Sequence, residues 1–269
     1  MTERLLASGT AGRVAAGDVC LAYRYVEGAR RQPLLLFLHE GLGSISLWRD
    51  FPDEIAERTG LPALIYDRAG HGGSGPLPCS RDPRYLHDYA WRELPALLEA
   101  FNEARPLILI GHSDGGTIAL LFAARYPNRV IGLATLAAHV SVEKETLEGI
   151  RQATAEYRRG ALRDRLERHH GDKTDRLFHA WSDTWLDTGF LGWNIESDLT
   201  RVACPVLALQ GADDGYGTPD QLHSIQTHVS GPCETTLIPD CGHSPQFQSR
   251  PTTANKIVGF VAALDPAAA

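Results

Sequence analysis

No stretch of this chain stays apolar for the roughly 18 residues that a membrane-crossing helix requires. The first residues, Met1-Thr2-Glu3-Arg4-Leu5-Leu6, lack the basic region and following apolar run of a signal peptide. A cytoplasmic protein without a membrane partner is the expectation. There is no basic stripe or arginine-rich arm, and the net charge is −7, so nucleic acid is not an expected partner. Five cysteines, Cys20, Cys79, Cys204, Cys233 and Cys241, are scattered and odd in number, which fits reduced thiols rather than a disulfide framework. No set of His, Cys and carboxylates has the spacing of a metal site such as H-E-x-x-H or paired C-x-x-C, and neither a metal nor a cofactor is expected. Repeats and low-complexity tracts are missing too, and Ala267-Ala268-Ala269 reads as a frayed tail. Nothing in the sequence specifies an oligomeric state.

What is present alternates. Two strands near 13–16 and 20–26, joined by Gly17-Asp18, carry a hairpin signal and suit an antiparallel start to a sheet. Apolar strands at 34–38, 63–67, 107–112, 131–136, 205–210 and 235–239 then alternate with helix-patterned segments such as 48–58, 85–101 and 117–126. Continuous apolar strands separated by helices predict a mostly parallel sheet covered on both faces. Pro95 is expected to break or kink the second of these helices. One interval departs from the alternation. Residues 140–200 carry no strand signal and read as helices at 143–158, 162–169 and 175–186 with a short turn at 194–199.

The most informative residues are Gly111-His112-Ser113-Asp114-Gly115-Gly116, which join an apolar strand to a helix. The G-x-S-x-G spacing has a mechanical reason: a serine on a sharp, strained turn needs glycine on either side for strand and helix to approach. A serine hydroxyl is a weak attacker at neutral pH, so Ser113 as a nucleophile demands a base and a group that orients the base. The chain order for such an elbow is Ser, then acid, then His. The strand 207–210 runs into Gly211-Ala212-Asp213-Asp214, and the strand 236–238 ends in Pro239-Asp240-Cys241-Gly242-His243. Asp213 or Asp214 is the candidate acid and His243 the candidate base. Most other histidines read as structural: His39 and His71 sit in turns, His112 packs beneath the elbow, and His169-His170 lie in a charged, solvated stretch. Asp213 and Asp240 also fit turn caps, and Cys241 reads as a packed thiol.

Along nearly its whole length the chain resembles an α/β-hydrolase. Leu38-His39-Glu40-Gly41-Leu42-Gly43-Ser44 is similar to that family's oxyanion-hole turn, and Asp67-Arg68-Ala69-Gly70-His71-Gly72-Gly73-Ser74 to its D-x-x-G-x-G-x-S loop. The resemblance implies an eight-stranded, mostly parallel sheet flanked by helices, with a helical cap inserted after strand 6. Residues 1–139 and 201–269 would form the core and 140–200 the cap. It selects Asp214 as the acid, three residues after the strand-ending glycine, and makes Ser113, Asp214 and His243 the catalytic triad. The backbone N–H groups of Gly41 and Asp114 would form the oxyanion hole; Glu40 departs from the family, where many members have Gly. The Ser-Asp-Gly-Gly run resembles valacyclovir hydrolase-like esterases, in which the corresponding Asp engages a substrate amine. Carried over, Asp114 selects substrates bearing an ammonium group, although an Asp in the first turn of a helix also has a plain dipole explanation. His139, Trp181, Trp185 and Trp193 are further candidates for substrate contact, against the alternative that aromatics at helical spacing are core.

The expected function is a serine hydrolase acting on a small-molecule carboxylic ester of small to medium size through an acyl-enzyme. A C–C hydrolase of ring-fission products, an enol-lactonase or a thioesterase would use the same scaffold. A non-catalytic binding member is the third reading, and it usually shows a lost triad residue.

Overall fold

The strands that carry the most apolar sequence form the middle of the sheet. In the computed structural model, which describes residues 10–28, 33–77 and 81–264, β3 (Leu34–Leu38) and β5 (Leu107–His112) are buried at every position. The N-terminal residues, Cys79 and the C-terminal alanines lie outside the described residues. Eight strands run in the order β1-β2-β4-β3-β5-β6-β7-β8, with β1 (Ala11–Ala16), β2 (Val19–Val26), β4 (Ala63–Tyr66), β6 (Val130–Leu136), β7 (Val206–Gly211) and β8 (Cys233–Ile238) completing the sheet. β1 pairs antiparallel with β2 and β2 antiparallel with β4; all other neighbours are parallel. This is the α/β-hydrolase fold expected from the sequence.

Helices cover both faces, as a parallel sheet requires. In chain order they are α1 (Phe51–Thr59), α2 (Tyr85–Asp88), α3 (Leu94–Ala100), α4 (Asp114–Arg125), α5 (Lys144–Arg158), α6 (Ala161–His170), α7 (Thr174–Leu186), α8 (Glu196–Leu199), α9 (Asp220–His228), α10 (Pro245–Gln248) and α11 (Arg250–Ala263). One layer of core lies between the sheet and the α2–α4 side, and a second packs α1 and α11 against the other face through Phe51, Ile55, Ala254 and Ile257. α5 to α8 all fall between β6 and β7, where the strand pattern lapsed. No helix among the described residues is long and apolar enough to cross a membrane.

Two elements differ from their expected form. The helix expected at 48–58 is split: a 3-10 turn at Ile45–Trp48 closes on Arg49, whose φ of 55° and ψ of −129° stop the helix before α1 restarts it. The segment 85–101 is not a helix kinked at Pro95. A π-helical turn at Tyr89–Glu93 links α2 to α3 and places Pro95 in the first turn of α3, where its missing N–H costs nothing.

Candidate active site

Ser113 sits between β5 and α4 with φ 52° and ψ −120°, a conformation in which an L-residue is strained. Two glycines make the turn possible. A Cβ on Gly111 would lie 2.3 Å from the Gly115 carbonyl oxygen, and one on Gly115 would lie 1.9 Å from that of Leu38. The Ser113 amide donates to the Leu136 carbonyl at 2.8 Å, which anchors the elbow to β6. The hydroxyl is thereby raised above the C-terminal ends of the central strands, where ligands bind in open α/β sheets.

The loops after β7 and β8 bring two partners to that hydroxyl. His243 Nε2 lies 3.0 Å from Ser113 Oγ, and His243 Nδ1 lies 2.8 Å from Asp214 Oδ1. The Tyr216 N–H donates to the same carboxylate oxygen at 2.9 Å, and the Gln210 amide reaches Oδ2 at 3.3 Å. Burial pushes the pKa of Asp214 up, but the His243 hydrogen bond and charge, with the Tyr216 N–H, outweigh it and hold the carboxyl below its usual range. An ionised Asp214 therefore fixes Nδ1 as the protonated ring nitrogen and leaves Nε2 free to accept from the serine. Asp213 is exposed, and its amide bonds the Cys241 carbonyl at 2.8 Å. Cys241 is itself buried.

The turn after β3 stands opposite. Among the described residues the amides of Gly41 and Asp114 donate to no protein acceptor, and both residues line the cavity above Ser113. The carbonyls of the turn are held back on its far side. Glu40 O accepts from His39 Nδ1 at 2.8 Å and from Arg68 Nη2 at 2.7 Å, while Leu42 O accepts from His170 Nε2 at 2.9 Å. The Gly72 N–H donates to His170 Nδ1 at 3.0 Å, so that imidazole is neutral, and burial pushes its pKa down to about 4. Burial and the Arg68 charge also hold His39 well below the usual imidazole range. His170 is thus buried against the loops that hold Leu42 and Gly72, 128 and 98 residues away, not part of a solvated stretch as the charged sequence around it suggested. Lys173, three residues on, donates to Gly72 O and Ser74 O at 2.6 Å each.

His112 takes part as well. Its Nε2 donates to the His243 carbonyl at 2.7 Å, and its Nδ1 faces Glu40 Oε2 at 3.4 Å and the Gln246 amide at 3.0 Å. Burial disfavours the ionised Glu40, yet the His112 hydrogen bond and charge prevail and bring its pKa down to about 2. The residue that departs from the family's turn thus braces the histidine under the elbow, a role its sequence position did not signal.

A cavity of about 570 Å³ opens over Ser113. Asp114, His139, Trp181 and Trp185 form part of its wall. Trp193 does not: it stacks on Phe190 at 5.3 Å and packs against Trp185 at 5.7 Å, a core position that corrects its reading as a substrate contact. His139 donates through Nε2 to Tyr216 O at 3.1 Å, and burial with the nearby His243 lowers its pKa to about 3, so it is neutral. Asp114 Oδ2 accepts from Tyr85 Oη at 2.8 Å, and Trp185 Nε1 donates to the same Tyr85 oxygen at 2.8 Å. No group of three or more His, Cys, Asp or Glu among the described residues could hold a metal ion.

Comparison with known proteins agrees with this architecture. A family profile described as the alpha/beta hydrolase fold matches residues 33–191. The sn-1-specific diacylglycerol lipase ABHD11 of Danio rerio is 27% identical over 90% of this chain and 82% of its own length. The proline iminopeptidase of Lactobacillus helveticus is 33% identical, but over only 39% of this chain and 35% of that protein. Among solved structures, the 2-hydroxy-6-oxo-6-phenylhexa-2,4-dienoate hydrolase of Rhodococcus sp. strain RHA1 superposes with a TM-score of 0.78 at 17% identity, covering 94% of this chain and 99% of that one. With that profile spanning more than half its length, the chain belongs to the α/β-hydrolase fold family.

Proposed function

We propose that the chain is a serine hydrolase that cleaves a carboxylic ester of small to medium size through an acyl-enzyme. The observation that carries this reading is the continuous Ser113–His243–Asp214 hydrogen-bond chain beneath a cavity of substrate size. His243 Nε2 takes the Ser113 proton as Oγ attacks the ester carbonyl, and returns it to the leaving alcohol. The oxygen that becomes negative is met by the Gly41 and Asp114 amides, whose directions are set in advance by the captured carbonyls behind them and by the start of α4. Water then repeats the sequence on the acyl-enzyme, with His243 again as base. In this reading residues 140–200 are the cap, and Trp181 and Trp185 roof the acyl-binding space.

The test is covalent labelling followed by a panel of bonds. A fluorophosphonate is expected to label Ser113 alone, with turnover of 4-nitrophenyl esters exceeding that of thioesters, enol-lactones and coloured dienoates. Labelling elsewhere removes the mechanism, and dienoate turnover without esterase activity transfers it to C–C cleavage.

Asp114 supports a narrower reading. Its carboxylate is 2% exposed and adjoins the oxyanion turn: a Cβ on Gly41 would lie 3.2 Å from Oδ2. A negative charge there opposes the forming oxyanion unless a cation joins it. Tyr85 supplies one hydrogen bond; Arg81, over the Tyr85 ring at 4.8 Å, is near enough for its charge to interact with that of Asp114 but forms no ion pair with it. A substrate ammonium completes the balance. Asp114→Asn is then expected to lower kcat/KM on an aminoacyl ester about 30-fold more than on its neutral isostere, the cost of unpairing a buried charge. Equal losses on the two esters would discard amine selection while leaving the triad intact.

A further inference from the structure

Positive charge gathers at the mouth of the cavity over Ser113, against the −7 balance of the chain. Arg49, Arg165 and Arg168 all line it, and among the described residues the only carboxylates in its wall are Glu40 and Asp114. Those two already face His112 and Tyr85. Arg165 is paired with Glu156 at 2.8 Å, but among the described residues Arg49 and Arg168 form no ion pair.

The arrangement is built rather than casual. Arg49 has the same strained backbone as the nucleophile, φ 55° and ψ −129°, at the end of the turn after the oxyanion loop. Its guanidinium lies over the Phe247 ring at 4.8 Å, which restricts it without neutralising it. Ser46 in the same turn meets His169 Nδ1 at 2.8 Å, joining the Arg49 loop to α6 beside Arg168. Arg165 and Arg168 are one helical turn apart on α6, on the side that faces the opening. A turn and a helix distant in sequence thus present unpaired guanidinium groups to one entrance.

We infer that this rim binds an anionic group, a carboxylate or a phosphate, at the end of the substrate remote from the bond that Ser113 attacks. The inference rests on the serine-hydrolase reading for its chemistry but on the arginines for its selectivity. Guanidinium forks suit both anions, and a charged entrance also raises the rate of encounter with an anionic substrate.

Two matched pairs separate the sources of the anion. Mono-4-nitrophenyl glutarate against its methyl ester reads a carboxylate on the acyl side. Butyryl-CoA against S-butyryl-N-acetylcysteamine reads phosphate on the leaving side. The charged member of at least one pair is expected to have a kcat/KM on the order of tenfold higher at low salt, carried by KM. Raising NaCl to about 0.5 M should narrow that ratio. Arg49→Gln with Arg168→Gln should bring it close to one, and the two lysine replacements should retain part of it. No preference in either pair, or a preference that survives the double glutamine variant, overturns the inference. If Ser113 takes no fluorophosphonate and no compound turns over, the hydrolase reading fails by itself. Calorimetric titration with glutarate and with CoA then decides the rim: tighter binding to the parent than to the double variant sustains it, and equal or undetectable binding removes it.

Discussion

Replacing Ser113 by alanine is expected to lower kcat on 4-nitrophenyl butyrate by on the order of 10⁴-fold or more, because in the proposed mechanism attack would then fall to water with only the proposed oxyanion donors and binding to assist it. The Ser113 side chain makes one hydrogen bond, to His243, and its backbone bond to Leu136 does not depend on the hydroxyl. The fold should accordingly survive: the thermal midpoint is expected to stay within a few degrees of the parent, or to rise. Unaltered turnover in the alanine variant would show that the ester is cleaved without this hydroxyl and would end the acyl-enzyme mechanism.

Asp214→Asn should cost roughly 10³- to 10⁴-fold in kcat at neutral pH, through the tautomer of His243 rather than through position. Asp214 Oδ1 accepts from both His243 Nδ1 and the Tyr216 amide, while Oδ2 faces the Gln210 amide. An asparagine with its oxygen toward His243 would turn its NH₂ on the Gln210 donor. Flipped, it would present NH₂ to Nδ1 and force the ring proton onto Nε2, where it blocks acceptance from Ser113. Either arrangement is penalised, and KM should change far less than kcat. Asp213→Asn is the paired comparison: that side chain is exposed, and a change of less than about threefold is expected. A larger loss at 213 than at 214 would reassign the acid.

Much of this was legible because the signals were local. β3, β5, β6 and β7 were found within a residue or so, since strands buried on both faces are written as unbroken apolar runs. The elbow was legible from two glycines whose Cβ atoms would collide with backbone. The helical segment between β6 and β7 was visible as a change of period. What escaped was held by partners remote in sequence. His170 appears among charged residues, and only the fold brings it to Leu42 and Gly72. Glu40 looked like a defect in a glycine turn until His112 was placed against it. Trp193 carried the same aromatic signal as Trp181 and Trp185, and nothing local separates a ring that packs on Phe190 from one that faces the cavity. The π-helical turn before Pro95 was likewise hidden, because the proline announces a break without saying which side absorbs it.

The neutral imidazole of His170 fastens the Leu42 carbonyl and the Gly72 amide to the end of α6. The helices between β6 and β7 and the loops after β3 and β4 are consequently not separable modules. A chimera that grafts residues 140–200 from a protein without an equivalent imidazole would, in the same stroke, unfasten the Leu42 and Gly72 loops.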